Sequence, residues 1–178
     1  MPPDRRVERT QQALRGALFE LILERGFDAV TVSDITARAN VGRSTFYAHF
    51  ADKEDLLQSG AEGLGSFLRA EIDARQADGA RAVHPALAFC LPMLEHAFQQ
   101  RQLFAAMAGK RAGHFFQELV HDLWAELIRA SWPEGDEITV QAIAGGFGSV
   151  VLWWFSQAPE LSAEEVDARF RAGFEGQI

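Results

Sequence analysis

Between Thr10 and Arg25 apolar residues recur at helical spacing: Leu14, Leu18, Leu21 and Ile22 keep to one side, which predicts an amphipathic helix ended by Gly26. A flexible arm, Met1 to Arg9, is expected before it. Val32, Ile35 and Ala39 fall on one face of a second, shorter helix. Thr31, with Asp34 three residues on, marks its start, because hydroxyl and carboxylate can satisfy the free backbone N–H groups there. Asn40-Val41-Gly42 ends it, since Asn and Gly tolerate the left-handed backbone of a sharp turn. The following stretch, Arg43 to His49, offers only about two helical turns and is stable only with Phe46 and Phe50 buried. The predicted core of this three-helix unit is Leu18, Leu21, Ile22, Phe27, Val32, Ile35, Ala39, Val41, Phe46 and Phe50.

From Asp52 onward the pattern stays helical. A helix from Lys53 to Gln76, capped by Asp52, carries Leu56, Leu57, Leu64, Phe67, Leu68 and Ile72, and Ala77-Asp78-Gly79 breaks it. A helix from His84 to Gln100 would hold Pro85 in its first turn and Pro92 in its middle, where a kink should open space beside it. Then come a short apolar segment, Leu103 to Met107, and a helix from Gly113 to Trp132 stopped by Trp132-Pro133-Glu134-Gly135. Asp136 to Gln157 and Ser162 to Gly176 form a last pair, with Ser162 and Glu165 as a second capping box after the Ala158-Pro159 turn. There is no hairpin signal and no alternating run. The expected fold is all-α, an N-terminal helix-turn-helix domain over residues 1–51 and a C-terminal helical domain over 52–178.

The polar side of the short third helix carries Arg43, Ser44, Thr45, Tyr47 and His49, the donors and acceptors needed for phosphates and for base edges in a major groove. Lys53 opens the next helix, where the helix dipole disfavours a cation, so a nearby phosphate would explain it. The stretch from Thr31 to Leu57 resembles the DNA-binding segment of the tetracycline-repressor (TetR) family. Thr31, Val32, Ile35, Ala39, Val41, Thr45, Tyr47, His49, Phe50, Lys53, Leu56 and Leu57 carry the resemblance, which is dense over residues 10 to 57. Asn40, Gly42, Ser44 and Phe46 depart from the family's usual Gly, Ser, Gly and aliphatic residues, so operator sequence does not transfer.

The resemblance implies a homodimeric transcriptional repressor on a near-palindromic operator, released by a small effector. Its DNA-binding residues would be Thr31, Val32, Gly42, Arg43, Ser44, Thr45, Tyr47, His49 and Lys53. It also implies that the last two long helices pair with those of a second copy. Gly145-Gly146-Phe147-Gly148-Ser149 fits that role, because each helical Gly costs about 0.5–1 kcal/mol against Ala unless another backbone comes close. The expected interface is Gly145, Gly146, Ser149, Val150, Trp153, Phe170 and Phe174, with packing of the glycines inside the subunit as the alternative.

Net charge is −8, which argues against a polyanionic partner until its distribution is read. Residues 1–50 hold seven Arg against six acidic residues, and the rest holds ten basic against nineteen acidic. DNA binding must then rest on a local footprint of Arg5, Arg6, Arg9, Arg43 and Lys53, doubled in a dimer and steeply salt-dependent. The lone Cys90 excludes an intrachain disulfide and reads as a buried, inert thiol suited to a reducing cytosol. The longest apolar run, GGFGSVVLWWF, falls short of the roughly 18 residues of a membrane span. MPPDRRVERT lacks the apolar core of a signal peptide, so a cytoplasmic protein without a membrane partner is expected.

The middle of the body supplies Phe89, Met93, His96, Phe104, Met107, His114, Phe115, His121 and Trp124 as pocket candidates for a hydrophobic or aromatic effector, although ordinary helical cores use the same residues. His114, Glu118 and His121 share a helical face at a spacing used by bundle metal sites, but only His96 could add to them, so no metal is expected. No nucleophile elbow, phosphate-binding loop or repeated ligand spacing is present, and neither enzymatic activity nor a cofactor is expected. Two alternatives stand beside the repressor: an effector-independent protein of this fold that organises DNA or binds a protein, and a helical enzyme with a vestigial head.

Overall fold

The structure, a computed structural model, describes residues 5–77, 83–107 and 112–174. Its helices are α1 (Arg5–Arg25), α2 (Val32–Arg38), α3 (Arg43–Tyr47), α4 (Lys53–Ala77), α5 (Cys90–Gln99), α6 (Arg101–Met107), α7 (Ala112–Ser131), α8 (Glu137–Gln157) and α9 (Ala163–Ala172), with 3-10 turns at Phe27–Ala29 and Pro85–Leu87. No strand occurs among the described residues. Two compact units form, one from residues up to Glu62 with Gln102–Phe116, the other from Gly63–Arg101 with the chain from Gln117 onward. The expected division at 51/52 follows the helix-turn-helix; the compact grouping instead cuts through α4, whose first turns bury Leu56 and Leu57.

In the first unit α1 begins at Arg5, so Arg5 to Arg9 are helical rather than an arm; Met1 to Asp4 lie outside the described residues. Nothing in that stretch breaks a helix, and Thr10 Oγ1 donates back to the Arg6 carbonyl at 2.9 Å. Leu14, Ala17, Leu18, Leu21 and Ile22 are buried along one side of α1, as the periodicity requires. Gly26 ends it with φ +78°, a conformation few other residues adopt. Phe27, Ile35, Phe46 and Phe50 complete the core, and Val30, absent from the predicted set, is buried with them. Val32, Ala39 and Val41 are only half-buried, because they sit at the first residue and exit turn of α2, where the chain leaves the packed face.

In the second unit α5 packs chiefly on α9, and α8 touches both. Pro92 causes no mid-helix kink. The helix starts at Cys90, which places Pro92 in the first turn, where a missing N–H breaks no ladder bond. Phe147 is the hub of the core, meeting Phe89, Trp124 and Phe170 edge-on at centroid distances of 4.9, 5.1 and 5.4 Å. The indole N–H of Trp154 donates to the Leu161 carbonyl at 3.0 Å and fixes the α8–α9 turn. Asp136, read as the first residue of the helix, is instead the cap of α8; the Ser162–Glu165 capping box starts α9 as expected, and α9 ends at Ala172 rather than Gly176, which lies outside the described residues. Asp167, unforeseen, is buried on α9 with Arg171 as partner one turn on, while Arg75 of α4 pairs with Glu95 of α5 at 2.6 Å.

Among the described helices α8 is long and apolar enough to cross a bilayer by length and composition, which corrects the shorter reading of that run. One side of it packs inward through Val140, Ile143, Ala144, Phe147, Val151 and Trp154. The opposite side exposes Ile138, Leu152 and Trp153.

Candidate nucleic-acid interface

The helix-turn-helix is built from local signals. The Thr31 hydroxyl accepts from the Asp34 N–H at 3.3 Å, and the Asp34 carboxylate accepts from the Thr31 N–H at 2.9 Å, a complete capping box. At the other end of α2, Asn40 takes φ +53°. The Val41 N–H then reaches the Thr36 carbonyl at 3.0 Å and the Asn40 N–H the Ala37 carbonyl at 3.3 Å, a Schellman closure with Asn in the usual glycine place. Gly42 is not left-handed: with φ −72° and ψ 150° it is the extended residue that starts α3.

Phe46 holds α3 down. Its side chain is fully buried against Phe50 (5.8 Å) and meets the Tyr47 ring edge-on at 5.4 Å. That anchoring turns Arg43, Ser44 and Tyr47 to the exterior, Tyr47 being 56% exposed, with Thr45 and His49 half-buried beside them. Thr31 and Gly42 are exposed and Val32 half-buried. Arg5, Arg6 and Arg9 lie on exposed turns of α1.

Lys53 is engaged differently from expectation. Its Nζ donates to the Phe27 and Val30 carbonyls, both at 2.9 Å, and lies 4.4 Å from the centre of the Phe27 ring. A cation at the start of α4 is therefore explained within the domain, without a phosphate. Two further clamps escaped the sequence reading. Arg38 of α2 binds Glu24 of α1 through two hydrogen bonds of 2.8 Å and Glu20 at 3.1 Å, and Arg25 reaches Asp34 at 2.9 Å. The only trace of the first in the sequence is the Glu20/Glu24 pair one helical turn apart. Held by the Thr31 hydroxyl, its backbone N–H and Arg25, the Asp34 carboxyl is drawn down to about 2.

The pocket candidates fall into both units: Phe104, Met107, His114 and Phe115 in the first, Phe89, Met93, His96, His121 and Trp124 in the second. Phe89, Met93, Met107 and Trp124 are buried as core, and the Trp124 indole N–H has no hydrogen-bond partner among the described residues. His114 is exposed; His121 is half-buried, with Nδ1 3.7 Å from the Asp122 carboxylate. Burial pushes the His96 pKa down, favouring its neutral form. A cavity of about 360 Å³ lies elsewhere, between α8 and α9, where Val150, Trp153, Phe170 and Phe174 of the expected interface line it with Leu161, Val166, Arg169 and Gly173.

The glycines of α8 divide by direction. A Cβ on Gly148 would come within 2.8 Å of the Trp124 ring and one on Gly146 within 3.9 Å of Phe170, whereas Gly145 has nothing within 4 Å. Gly148 therefore packs inside the unit, and Gly145 and Ser149 remain on the exposed side.

An all-α chain that anchors a short, polar-faced helix on a capped two-helix turn has the architecture of a helix-turn-helix DNA-binding protein. Residues 14–59 match the profile of "bacterial regulatory proteins, tetR family". The chain is 47% identical over 57 residues, 32% of its length, to the uncharacterized HTH-type transcriptional regulator YxbF of Bacillus subtilis. The chain spans less than a third of the length of the curated relatives it matches. Among solved structures, the TetR transcriptional regulator of Streptococcus agalactiae superposes with a TM-score of 0.63 at 23% identity, covering 96% of both chains. Thermus thermophilus FadR, a TetR-family repressor solved in complex with lauroyl-CoA, gives 0.57 at 22% identity, over 94% of this chain and 95% of that one. The helix-turn-helix of this chain is thus similar to that of the TetR family, and nearly its whole length shares a fold with solved TetR-family regulators.

Proposed function

We propose that the chain is a homodimeric, sequence-specific DNA-binding regulator of transcription, working in the cytoplasm as a repressor that a small hydrophobic or aromatic effector releases from a near-palindromic operator. The observation that carries this reading is the outward face of α3. Phe46 fixes the helix, while Arg43, Ser44 and Tyr47 present a cation and hydroxyls outward, with half-buried Thr45 beside them. Dimerisation is supported by α8, which carries no charge from Ile138 to Gln157 yet leaves Ile138, Leu152 and Trp153 exposed beside open Gly145. The lauroyl-CoA complex of the Thermus protein supports a hydrophobic effector.

Selection of duplexes from a random-sequence library by the purified protein at about 0.15 M salt tests the reading. Enrichment of an inverted repeat is expected, with Tyr47→Ala abolishing it. Failure of the wild-type protein to enrich any sequence, in a sample shown by native mass spectrometry to carry no bound small molecule, refutes it.

A further inference from the structure

Lys53 is the first residue of α4, facing the positive end of that helix's dipole, a position unfavourable for a cation unless something compensates. The compensation is the convergence of its Nζ on the Phe27 and Val30 carbonyls, at 2.9 Å each, over the Phe27 ring. These two carbonyls bracket the 3-10 turn, and Val30, extended and buried, leads directly into Thr31, the cap of α2. We propose that Lys53 is a positioning residue for DNA reading: by pinning the Phe27–Val30 segment it sets where Thr31 and the first turn of α2 stand, and it acts through them rather than by holding a phosphate itself. The proposal rests on the DNA-binding reading of the head.

The chemistry of the two cationic side chains separates the roles. An ammonium is a point donor that can serve two converging carbonyls, whereas a guanidinium keeps the charge but spreads its donors over a planar fork. A phosphate anchor therefore tolerates Lys53→Arg, and a carbonyl clamp does not. The full chain is titrated against a labelled random-sequence duplex over a range of salt, at a temperature where circular dichroism shows native helix content. Lys53→Arg and Lys53→Met should each bind about fivefold or more weakly, with the slope of log affinity against log salt unchanged, since a Lys53 that acts by positioning Thr31 and the start of α2 gives up no phosphate contact of its own. Thr31→Val should weaken the wild type by about fivefold but add little on either Lys53 background, the signature of residues acting as one unit. If Lys53→Met is unfolded, Lys53→Arg alone decides. Wild-type affinity in Lys53→Arg, or a slope lowered by about one in Lys53→Met, overturns the proposal; so does a full Thr31→Val effect on both backgrounds. A wild-type protein that ignores the duplex is a different failure, since it removes the DNA-binding reading itself and this inference with it.

Discussion

Asp34 is where a single side chain does most for the head. It closes the capping box with Thr31 and receives Arg25, and those interactions lower its pKa from an ordinary 3.8 to about 2. A carboxyl held lower in the folded state than in the unfolded one contributes stability that is present above pH 4 and is lost as pH falls toward 2. Thermal unfolding followed from pH 6 to pH 2 should therefore show a steeper acid limb in the wild type than in Asp34→Asn; equal limbs would mean that the box is not formed in solution. Thr31-x-x-Asp34 was legible in the sequence because both partners sit within one helical turn. The Lys53 clamp was not, since its carbonyls lie 26 and 23 residues away and backbone acceptors leave no mark in a sequence. Arg38 escaped for a related reason: an exposed arginine on a short helix reads as solvated until α1 is laid against α2.

At the scale of elements, α8 shows how far a sequence pattern reaches. The Gly145-Gly146-Phe147-Gly148-Ser149 cluster demanded close neighbours, but successive helical residues point about 100° apart, so one cluster serves several surfaces. Gly148→Ala should destabilise the fold by about 1–3 kcal/mol, because the Trp124 ring it would meet is locked in the core around Phe147. Gly145→Ala should stabilise the helix by up to about 1 kcal/mol in propensity while weakening self-association. Urea unfolding and sedimentation velocity on both variants separate the two effects, and a Gly148→Ala protein as stable as the wild type would contradict the packing described. Pro92 marks the opposite limit. The rule that proline interrupts a helix holds, yet whether it interrupts depends on where the helix begins, and the continuous apolar run through Phe89 and Cys90 hid that start. The pairing of buried Asp167 with half-buried Arg171 was hidden likewise, because an acid and a base one turn apart resemble an ordinary surface pair until α9 is packed on α5.

For the whole molecule, the charge balance sets the terms of association. With a net charge of −8 concentrated outside the head, a single copy would approach DNA against its own field, and two basic footprints held together bind far better than either alone. Leu152→Asp combined with Trp153→Asp, placed on the exposed side of α8, should yield a folded monomer by sedimentation velocity. Its affinity for an inverted repeat should fall to that for a half-site; a dimer that survives both aspartates would place the interface elsewhere. The all-α architecture and the recognition turn were readable beforehand because they rest on periodicity and caps, whereas the partition of aromatic residues between core and cavity depends on packing across helices far apart in sequence. One buried group opens a direct route to the geometry of such a dimer. Cys90 is wholly enclosed and burial pushes its thiol well above the usual range, so the chain has no thiolate to offer a reagent near neutral pH. A cysteine introduced at exposed Gln58 would be the sole target of a maleimide spin label on native protein, and the separation of two such labels would track the spacing of the heads without first removing the natural thiol.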